Sequence, residues 1–248
     1  VRQPRLGWRI ESDEQNVIQT AYHILVASSP ELLEQGKGDI WDSGKIESDA
    51  SQWITYQGKT LKRNASYYWK VKIDTNKGAT NWSAPAFWTT GLFNEADWQG
   101  QWIGLDRAAP GDSETQWSRL AARYLRKEFA VKKDVKRATV HIAGMGLYEL
   151  FINGQRIGNQ VLAPAPTDYR KTILYNTYDV TSLLQTENAI GVTLGNGRFY
   201  TMRQNYKPYK IPTFGYPKLR LNLIVEYADG SKETIATNTS WKLTTEGP

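Results

Sequence analysis

The sequence predicts an all-β protein built from two antiparallel β-sandwiches in tandem. Short runs rich in aromatic and β-branched residues alternate along the whole chain with Gly, Asn, Asp and Pro turn signals. The stretch 147–158 has the pattern of a β-hairpin, and the chain carries no long run with the spacing of amphipathic helices. Its 248 residues are enough for one large or two ordinary domains with a substantial core.

A junction near residue 95 divides the predicted fold into two domains. We expect residues 1–95 to form a fibronectin type III or immunoglobulin-like sandwich and residues 96–248 to form a jelly-roll-like antiparallel sandwich. Trp102-Ile103 is the predicted first strand of the second domain. The stretch 108–115 has the composition of an exposed loop.

Alternation is clearest in the first domain over residues 67–74. There Tyr67, Trp69, Val71 and Ile73 fall on one face of a strand, and polar residues fall mostly on the other. The other predicted features of this domain are a strand at 19–27, a turn at 42–44, a turn at 76–78 and closing strands at 82–85 and 87–91.

Tryptophans in this domain raise a choice between two roles. Trp41, Trp53 and Trp69 could form a sugar-stacking platform, or they could fill the core. Because a Trp in a half-buried strand normally packs inward, the sequence favours core packing.

The second domain is organised around the predicted hairpin. Asn153-Gly154 is a strong signal for a two-residue type I′ turn, because both central residues of that turn need positive φ. The other elements predicted here are strands at 124–129, 137–143, 188–195, 218–227 and 233–236, and a short helical turn at 179–184 capped by Asp179 or Thr181.

Composition limits the function classes. The chain has no cysteine, which excludes disulfides and zinc–thiolate sites, and its two histidines, His23 and His141, are expected to be structural. The net charge of +6 is scattered over the sequence, so nucleic-acid binding is not predicted. No apolar run could span a membrane, and no signal peptide is present, although one could precede Val1.

The predicted recognition segment is the irregular stretch 195–216, which is aromatic, basic and interrupted by Pro and Gly. An alternative interpretation is that it packs on a neighbouring domain. Its candidate carbohydrate contacts are Arg198, Phe199, Tyr200, Tyr206 and Tyr209. No metal ligand set and no cofactor is predicted.

Motifs in both halves resemble the N-terminal region of bacterial α-L-rhamnosidases of glycoside hydrolase family 78. In the first half they are Asp39–Lys45, Tyr67–Lys72 and Trp88–Leu92, and in the second half they are Leu125–Phe129, Tyr148–Gly154, Thr167–Tyr169, Tyr175–Thr181 and Ala189–Gly191. Asp97–Gly104 resembles the segment that joins the two domains in this family. Asn196–Tyr200 departs from the family pattern, because Phe199 stands where a Trp is more usual.

The resemblance implies that hydrolysis of terminal α-L-rhamnosyl residues, with inversion, occurs in an (α/α)6 barrel expected after residue 248. The chain would then brace that barrel and contact a rhamnose-containing glycan, and it would be inactive alone. Inversion needs two carboxyl groups about 6.5–9.5 Å apart. Asp42, Glu149, Asp168 and Asp179 are candidates by position, but each lies beside a turn or cap signal that offers a local role.

Two other functions remain open at this point. The second domain could be a stand-alone carbohydrate-binding module, with the aromatic stretch as its sugar contact. The Arg-Lys-Glu-Phe and Ile-Asn-Gly patterns are also shared with sugar-binding domains of β-galactosidase-like hydrolases. A periplasmic or secreted location is expected, and a cytoplasmic one is open.

Overall fold

A computed structural model describes residues 2–109, 112, 120–200 and 214–247. The chain forms two compact units, Val1–Phe93 and Asn94–Pro248, which we call the first unit and the second unit. Every sheet in the described residues is antiparallel, so the predicted all-β class is confirmed. Among the described residues, no helix is both long enough and apolar enough to cross a membrane.

The first unit has a two-stranded and a five-stranded sheet. Its strands are β1 (Arg5–Leu6), β2 (Gln19–Ala27), β3 (Trp41–Glu47), β4 (Ile54–Thr55), β5 (Ser66–Thr75), β6 (Gly78–Ala79) and β7 (Ala86–Thr89). The strand β1 pairs with β4, and the larger sheet has the order β3-β2-β5-β6 with β7 also paired to β5. Ile24, Val26, Tyr67 and Val71 are buried in one core, as the alternation of β5 predicts.

Two local predictions in the first unit are wrong, the turn at 42–44 and the strand at 82–85, since β7 begins only at Ala86. Residues 42–44 do not reverse the chain, because β3 continues through them with a shift of register against β2 and with Gly44 at φ +60°. The strand predicted at 19–27 is confirmed as β2, and a short helix, α1 (Pro30–Glu34), follows it. Ser29 caps this helix by accepting a hydrogen bond from the amide of Leu32.

The three tryptophans do not behave alike. Trp41 packs edge-on against Tyr56 with ring centroids 5.3 Å apart, and Trp69 packs against the core, as expected. Trp53 is 73% exposed and has φ +59°, so core packing is the wrong role for it. The guanidinium of Arg5 lies over its ring at 5.2 Å.

The second unit is a sandwich of two five-stranded sheets. Its strands are β8 (Ile103–Gly104), β9 (Arg123–Ala130), β10 (Val135–Met145), β11 (Leu147–Ile152), β12 (Gln155–Ile157), β13 (Tyr175–Asp179), β14 (Glu187–Gly195), β15 (Lys218–Tyr227), β16 (Lys232–Ala236) and β17 (Lys242–Thr244). The β10 sheet has the order β13-β10-β15-β16 with β8 on β15, and the β14 sheet has the order β12-β11-β14-β9-β17.

The core of this unit lies between the two sheets. Strand alternation buries every second residue of β14, including Ile190, Val192 and Leu194, against residues of the β10 sheet such as Ile142 and Leu221. Each such side chain contributes about 1.5–3 kcal/mol by leaving water. The remaining residues of β14 therefore face outward, where they are available for contacts.

The predicted hairpin is confirmed. Ile152 pairs with Gln155, so Asn153 and Gly154 form a two-residue turn with φ of +50° and +82°. A 3-10 helix follows at Thr181–Leu183, and Asp179 Oδ1 accepts the hydrogen bond from the amide of Thr181 at 2.9 Å. Only part of the predicted loop at 108–115 lies within the described residues. The prediction that this loop is exposed is wrong for Ala109, which is buried.

Candidate functional site

A cleft of about 240 Å³ opens at one face of the β10 sheet in the second unit. We call it the aromatic cleft. Its lining includes Trp98, Trp102, Tyr169, Tyr175 and Arg220. The cleft thus combines aromatic rings with a positive charge, and further charged and hydroxyl-bearing side chains also line it.

Arg220 occupies the centre of this arrangement. It lies on β15, and its guanidinium carbon is 5.2 Å from the ring centroid of Trp98 and 6.0 Å from that of Trp102. Its Nε donates to the carbonyl of Gly100 at 2.6 Å, and Nη1 forms an ion pair with Glu95. Because its side chain is only 12% exposed, the guanidinium is fixed between the two indoles.

The segment that carries both indoles is fastened to β15 by buried polar side chains. Asn222 Oδ1 accepts from the amide of Gly100 at 2.8 Å, and Asn222 Nδ2 donates to the carbonyl of Asp97 at 3.3 Å. A Cβ on Gly100 would lie 2.4 Å from the carbonyl oxygen of Leu221, so only glycine fits there. Thr237 completes the attachment by donating to the carbonyl of Gln101 at 2.6 Å.

Tyr175 of the cleft links Trp98 to His141, a buried residue outside the cleft lining. Tyr175 meets Trp98 edge-on at 5.5 Å, and the ring of His141 lies 6.0 Å from Tyr175. Burial lowers the pKa of His141 to about 4, assisted by the charge of Arg137. The imidazole Nδ1 is 3.0 Å from Thr177 Oγ1, so a side-chain hydrogen bond joins this histidine on β10 to the neighbouring strand β13.

Of the predicted contacts, Phe199 and Arg198 lie close to the cleft. Phe199 is 7% exposed and meets Tyr169, a cleft residue, at 5.2 Å and Phe214 at 5.9 Å. Arg198 is exposed. Burial raises the pKa of the Tyr169 hydroxyl, and the charge of Arg198 partly opposes that shift.

Of the other predicted contacts, only Tyr200 lies in the described part of the chain. Tyr200 stacks on Tyr216 with ring centroids 5.7 Å apart. Tyr206 and Tyr209 lie outside the described residues. Because Phe199 is buried against Tyr169, it offers little of its own ring to a ligand.

Sequence reasoning misses the residues that form the cleft itself. The sequence marks Trp98 and Trp102 only as part of the domain junction, and Arg220 only as a polar position on an alternating strand. The one sequence signal that could have indicated the cleft is the close spacing of Trp98 and Trp102 beside a predicted strand. Their meeting with Arg220 depends on pairing across more than a hundred residues, which spacing alone does not reveal.

The four candidate carboxylates are engaged in local interactions. Asp42 accepts from the amide of Gly44 at 2.9 Å, and Asp168 and Asp179 likewise accept from amides two residues later. Glu149 instead forms an ion pair with Arg156 at 3.2 Å. Within the described residues, no group of three or more His, Asp or Glu side chains is placed to hold a metal ion.

An immunoglobulin-like unit followed by a larger antiparallel sandwich with an aromatic cleft defines a tandem β-sandwich protein. Two family models match it in that order. The Rha78A-like N-terminal immunoglobulin domain matches residues 1–94, and the α-L-rhamnosidase N-terminal domain matches residues 133–248. The chain therefore carries the two N-terminal domains of the α-L-rhamnosidase family in tandem, which confirms the resemblance.

Individual relatives agree with this assignment. An α-L-rhamnosidase of Formosa agariphila is 37% identical over 99% of this chain and 28% of its own length. One from Alteromonas sp. is 34% identical over 99% of this chain and 27% of its own length. The chain thus spans little more than a quarter of the length of these relatives.

Solved structures show the same correspondence. The α-L-rhamnosidase from Dictyoglumus thermophilum has a TM-score of 0.86 and 39% identity, covering 98% of this chain and 27% of that one. The native α-L-rhamnosidase from Aspergillus terreus has a TM-score of 0.84 and 32% identity over the same shares.

Proposed function

We propose that this chain is a non-catalytic N-terminal region of an α-L-rhamnosidase. The parent protein hydrolyses terminal α-L-rhamnosyl residues of glycosides or polysaccharides with inversion, in a helical barrel after residue 248. This region braces that barrel. The observation that carries the proposal is the 37% and 38% identity to two α-L-rhamnosidases across 99% of this chain. Both align over little more than a quarter of their own length, which leaves room for a catalytic part.

Two of the described carboxyl groups, those of Asp42 and Asp74, are unsuited to the acid step of such a reaction. An inverting hydrolase needs one carboxyl group with a raised pKa as general acid. Here the pKa of Asp42 is lowered by the amide of Gly44, and that of Asp74 by the ammonium of Lys45. These carboxyl groups are ionised bases held by local donors, so they are unsuited to protonate a leaving group.

Two preparations test this proposal. The 248-residue chain should release no L-rhamnose from an aryl α-L-rhamnoside, whereas the parent protein should release it, with the β-anomer formed first in an NMR time course. Release by the chain alone would overturn the non-catalytic role. Failure of the parent to cleave any α-L-rhamnoside would overturn the assignment of its activity.

The aromatic cleft supports a second candidate function, which is contact with a rhamnose-containing glycan. Trp98, Trp102 and Tyr175 offer ring surface for the apolar face of a sugar, and Arg220 and Glu95 offer hydrogen bonds to its hydroxyls. The relatives from Formosa agariphila and Alteromonas sp. are α-L-rhamnosidases, so a β-galactosidase-like role is not proposed.

Tryptophan fluorescence tests the cleft. L-rhamnose or methyl α-L-rhamnoside should quench emission of the chain saturably, and Trp102→Phe should reduce the quenching. Trp53→Phe is the matched control, because that exposed indole lies in the first unit. A flat response at millimolar sugar, or equal quenching in both variants, would overturn glycan contact at the cleft.

A periplasmic or secreted location of the parent protein is also proposed. It rests on the proposed substrate, since polymeric glycosides are met outside the cytoplasm. Fractionation of cells that express the parent protein, with detection by antibody, tests it. Recovery of the parent in the cytoplasmic fraction alone would overturn it.

A further inference from the structure

The outer face of the β14 sheet carries a groove of about 780 Å³. Its lining includes Tyr124, Phe151, Gly191, Thr193 and Lys242. We call this the glycine groove. Its volume falls within the range of about 300–1,000 Å³ that is usual for small-ligand sites.

Strand register explains the shape of the groove. Gly191 on β14 lies directly between Phe151 on β11 and Arg126 on β9, and Lys242 on β17 continues the same row. Because Gly191 has no side chain, this row has a hollow at its centre with an aromatic ring on one side. In the next row, Tyr124 adds a second ring beside the hollow.

The glycine at this position is not required by the fold. A Cβ on Gly191 would meet only the Cβ of Phe151, at the ordinary contact distance of 3.7 Å, and its φ is not positive. Gly100, by comparison, is excluded from bearing a side chain by the neighbouring backbone. Glycine weakens the interior of a strand and often marks a place where a ligand approaches the backbone. Gly191 therefore points to an occupant outside the sheet.

The rim of the groove indicates what kind of occupant this is. Arg126, Lys242 and Glu246 line the groove, and Arg126 is 2.7 Å from Glu128 on the same strand. The two cations are balanced by Glu246 and by Glu128, so the rim offers hydrogen-bond donors and acceptors with little net attraction for an ion. Thr193 adds a hydroxyl at the edge of the apolar floor.

We propose that the glycine groove binds a neutral deoxyhexose-containing oligosaccharide, with one sugar ring seated over Gly191 between Phe151 and Tyr124. Such a sugar has an apolar C–H face, and a 6-deoxyhexose carries a methyl group in place of a polar hydroxymethyl. Its hydroxyls would meet Thr193, Arg126 and Glu246. The choice of L-rhamnose as the sugar rests on the proposed function.

Binding of an L-rhamnose trisaccharide to the 248-residue chain, measured by titration calorimetry, tests this proposal. Gly191→Val fills the hollow with a residue that suits a strand, so stability should be kept while affinity falls at least about tenfold. Phe151→Ala should also weaken binding. Ile235→Val, in the other sheet, is the control for a mild change of the core and should bind as the unchanged chain does.

The outcomes separate this proposal from the proposed function. Absence of binding at millimolar trisaccharide, or equal affinity in Gly191→Val, overturns the glycine groove as a glycan site. If Gly191→Val lowers the melting temperature of the parent protein but not that of the 248-residue chain, another protein segment occupies the groove. That result also overturns the proposal. Cleavage of an aryl α-L-rhamnoside by the parent reports on the proposed function and does not depend on these results.

Discussion

The side-chain amides of Asn153 and Asn188 meet at 2.9 Å, with Asn153 Nδ2 as donor and Asn188 Oδ1 as acceptor. Asn153 Nδ2 also donates to the carbonyl of Leu183 at 2.9 Å, and its Oδ1 accepts from the amide of Ala189 at 2.8 Å. Asn188 is buried and closes its own loop by accepting from the amide of Gln185. One pair of asparagines thus joins the hairpin turn, the 3-10 helix and the start of β14.

Replacement of Asn153 by Gly measures how much the side-chain hydrogen bonds of Asn153 contribute to stability. Glycine accepts the φ of +50° at this position, so only the side-chain hydrogen bonds are lost. We expect the free energy of unfolding of the second unit to fall by about 1–2 kcal/mol. Urea titration followed by far-UV circular dichroism measures this loss. Asn159→Gly, at an exposed position in the same unit, is the control, and equal effects of the two changes would contradict a role for the junction.

The second residue of the turn tests backbone conformation alone. Gly154 has φ +82°, and a Cβ added there would have no other atom within 4 Å, so strain is the only cost of substitution. Gly154→Val should lower the melting temperature, by strain of about 1–2 kcal/mol. Gly154→Asn should lose less, because asparagine tolerates this conformation. Unchanged stability of Gly154→Val would show that the turn is misassigned.

The hairpin shows how far sequence reasoning reaches in this protein. Its turn is encoded by two adjacent residues whose φ preference is intrinsic, so it is predictable. The partnership of Asn153 with Asn188 is not, because it spans 35 residues and depends on which strands become neighbours. The same limit applies to the aromatic cleft, where Trp98 and Arg220 meet only after β15 is placed.

Local signals also fail where the surrounding sheet overrides them. Residues 42–44 have turn composition, but continued pairing of β3 with β2 absorbs them as an irregularity in the strand. Trp53 has the side chain of a core residue, but its positive φ places it at the surface. Strand pairing decides the first case, and the backbone conformation of Trp53 accompanies its exposure in the second.

The buried ion pair between Arg123 and Asp112 supports a third prediction. Their side chains are 0% and 4% exposed, and Asp112 Oδ2 is 3.2 Å from Arg123 Nη2. Asp112→Ala would leave a buried guanidinium without its counter-ion, at a cost of roughly 3–5 kcal/mol. Chemical denaturation measures this loss.

An exposed pair serves as its control. Arg126 and Glu128 are 2.7 Å apart, but their side chains are 61% and 62% exposed. Glu128→Ala should therefore change stability by no more than about 1 kcal/mol. If Asp112→Ala were equally mild, the Arg123–Asp112 pair would not support the fold.

His141 supports a prediction about pH. Burial lowers its pKa from the ordinary 6.5 to about 4, so the unfolded chain takes up a proton at a higher pH than the folded chain does. The contribution of this histidine to stability is fully present above about pH 6.5 and is lost progressively as the pH falls toward 4. The full difference is roughly 3 kcal/mol, by the energy equivalent of a pKa shift.

Urea titrations at closely spaced pH values between 6.5 and 4 measure this dependence. His141→Gln cannot titrate there, so its stability should vary less with pH even if it is lower throughout. The carboxyl groups of Asp42 and Asp74 have lowered pKa values, so their contribution to stability is lost mainly below their ordinary pKa of 3.8. They therefore change stability little within this pH range. Parallel curves for the unchanged chain and His141→Gln would contradict a buried, neutral histidine, because the titrating group would then have to lie elsewhere.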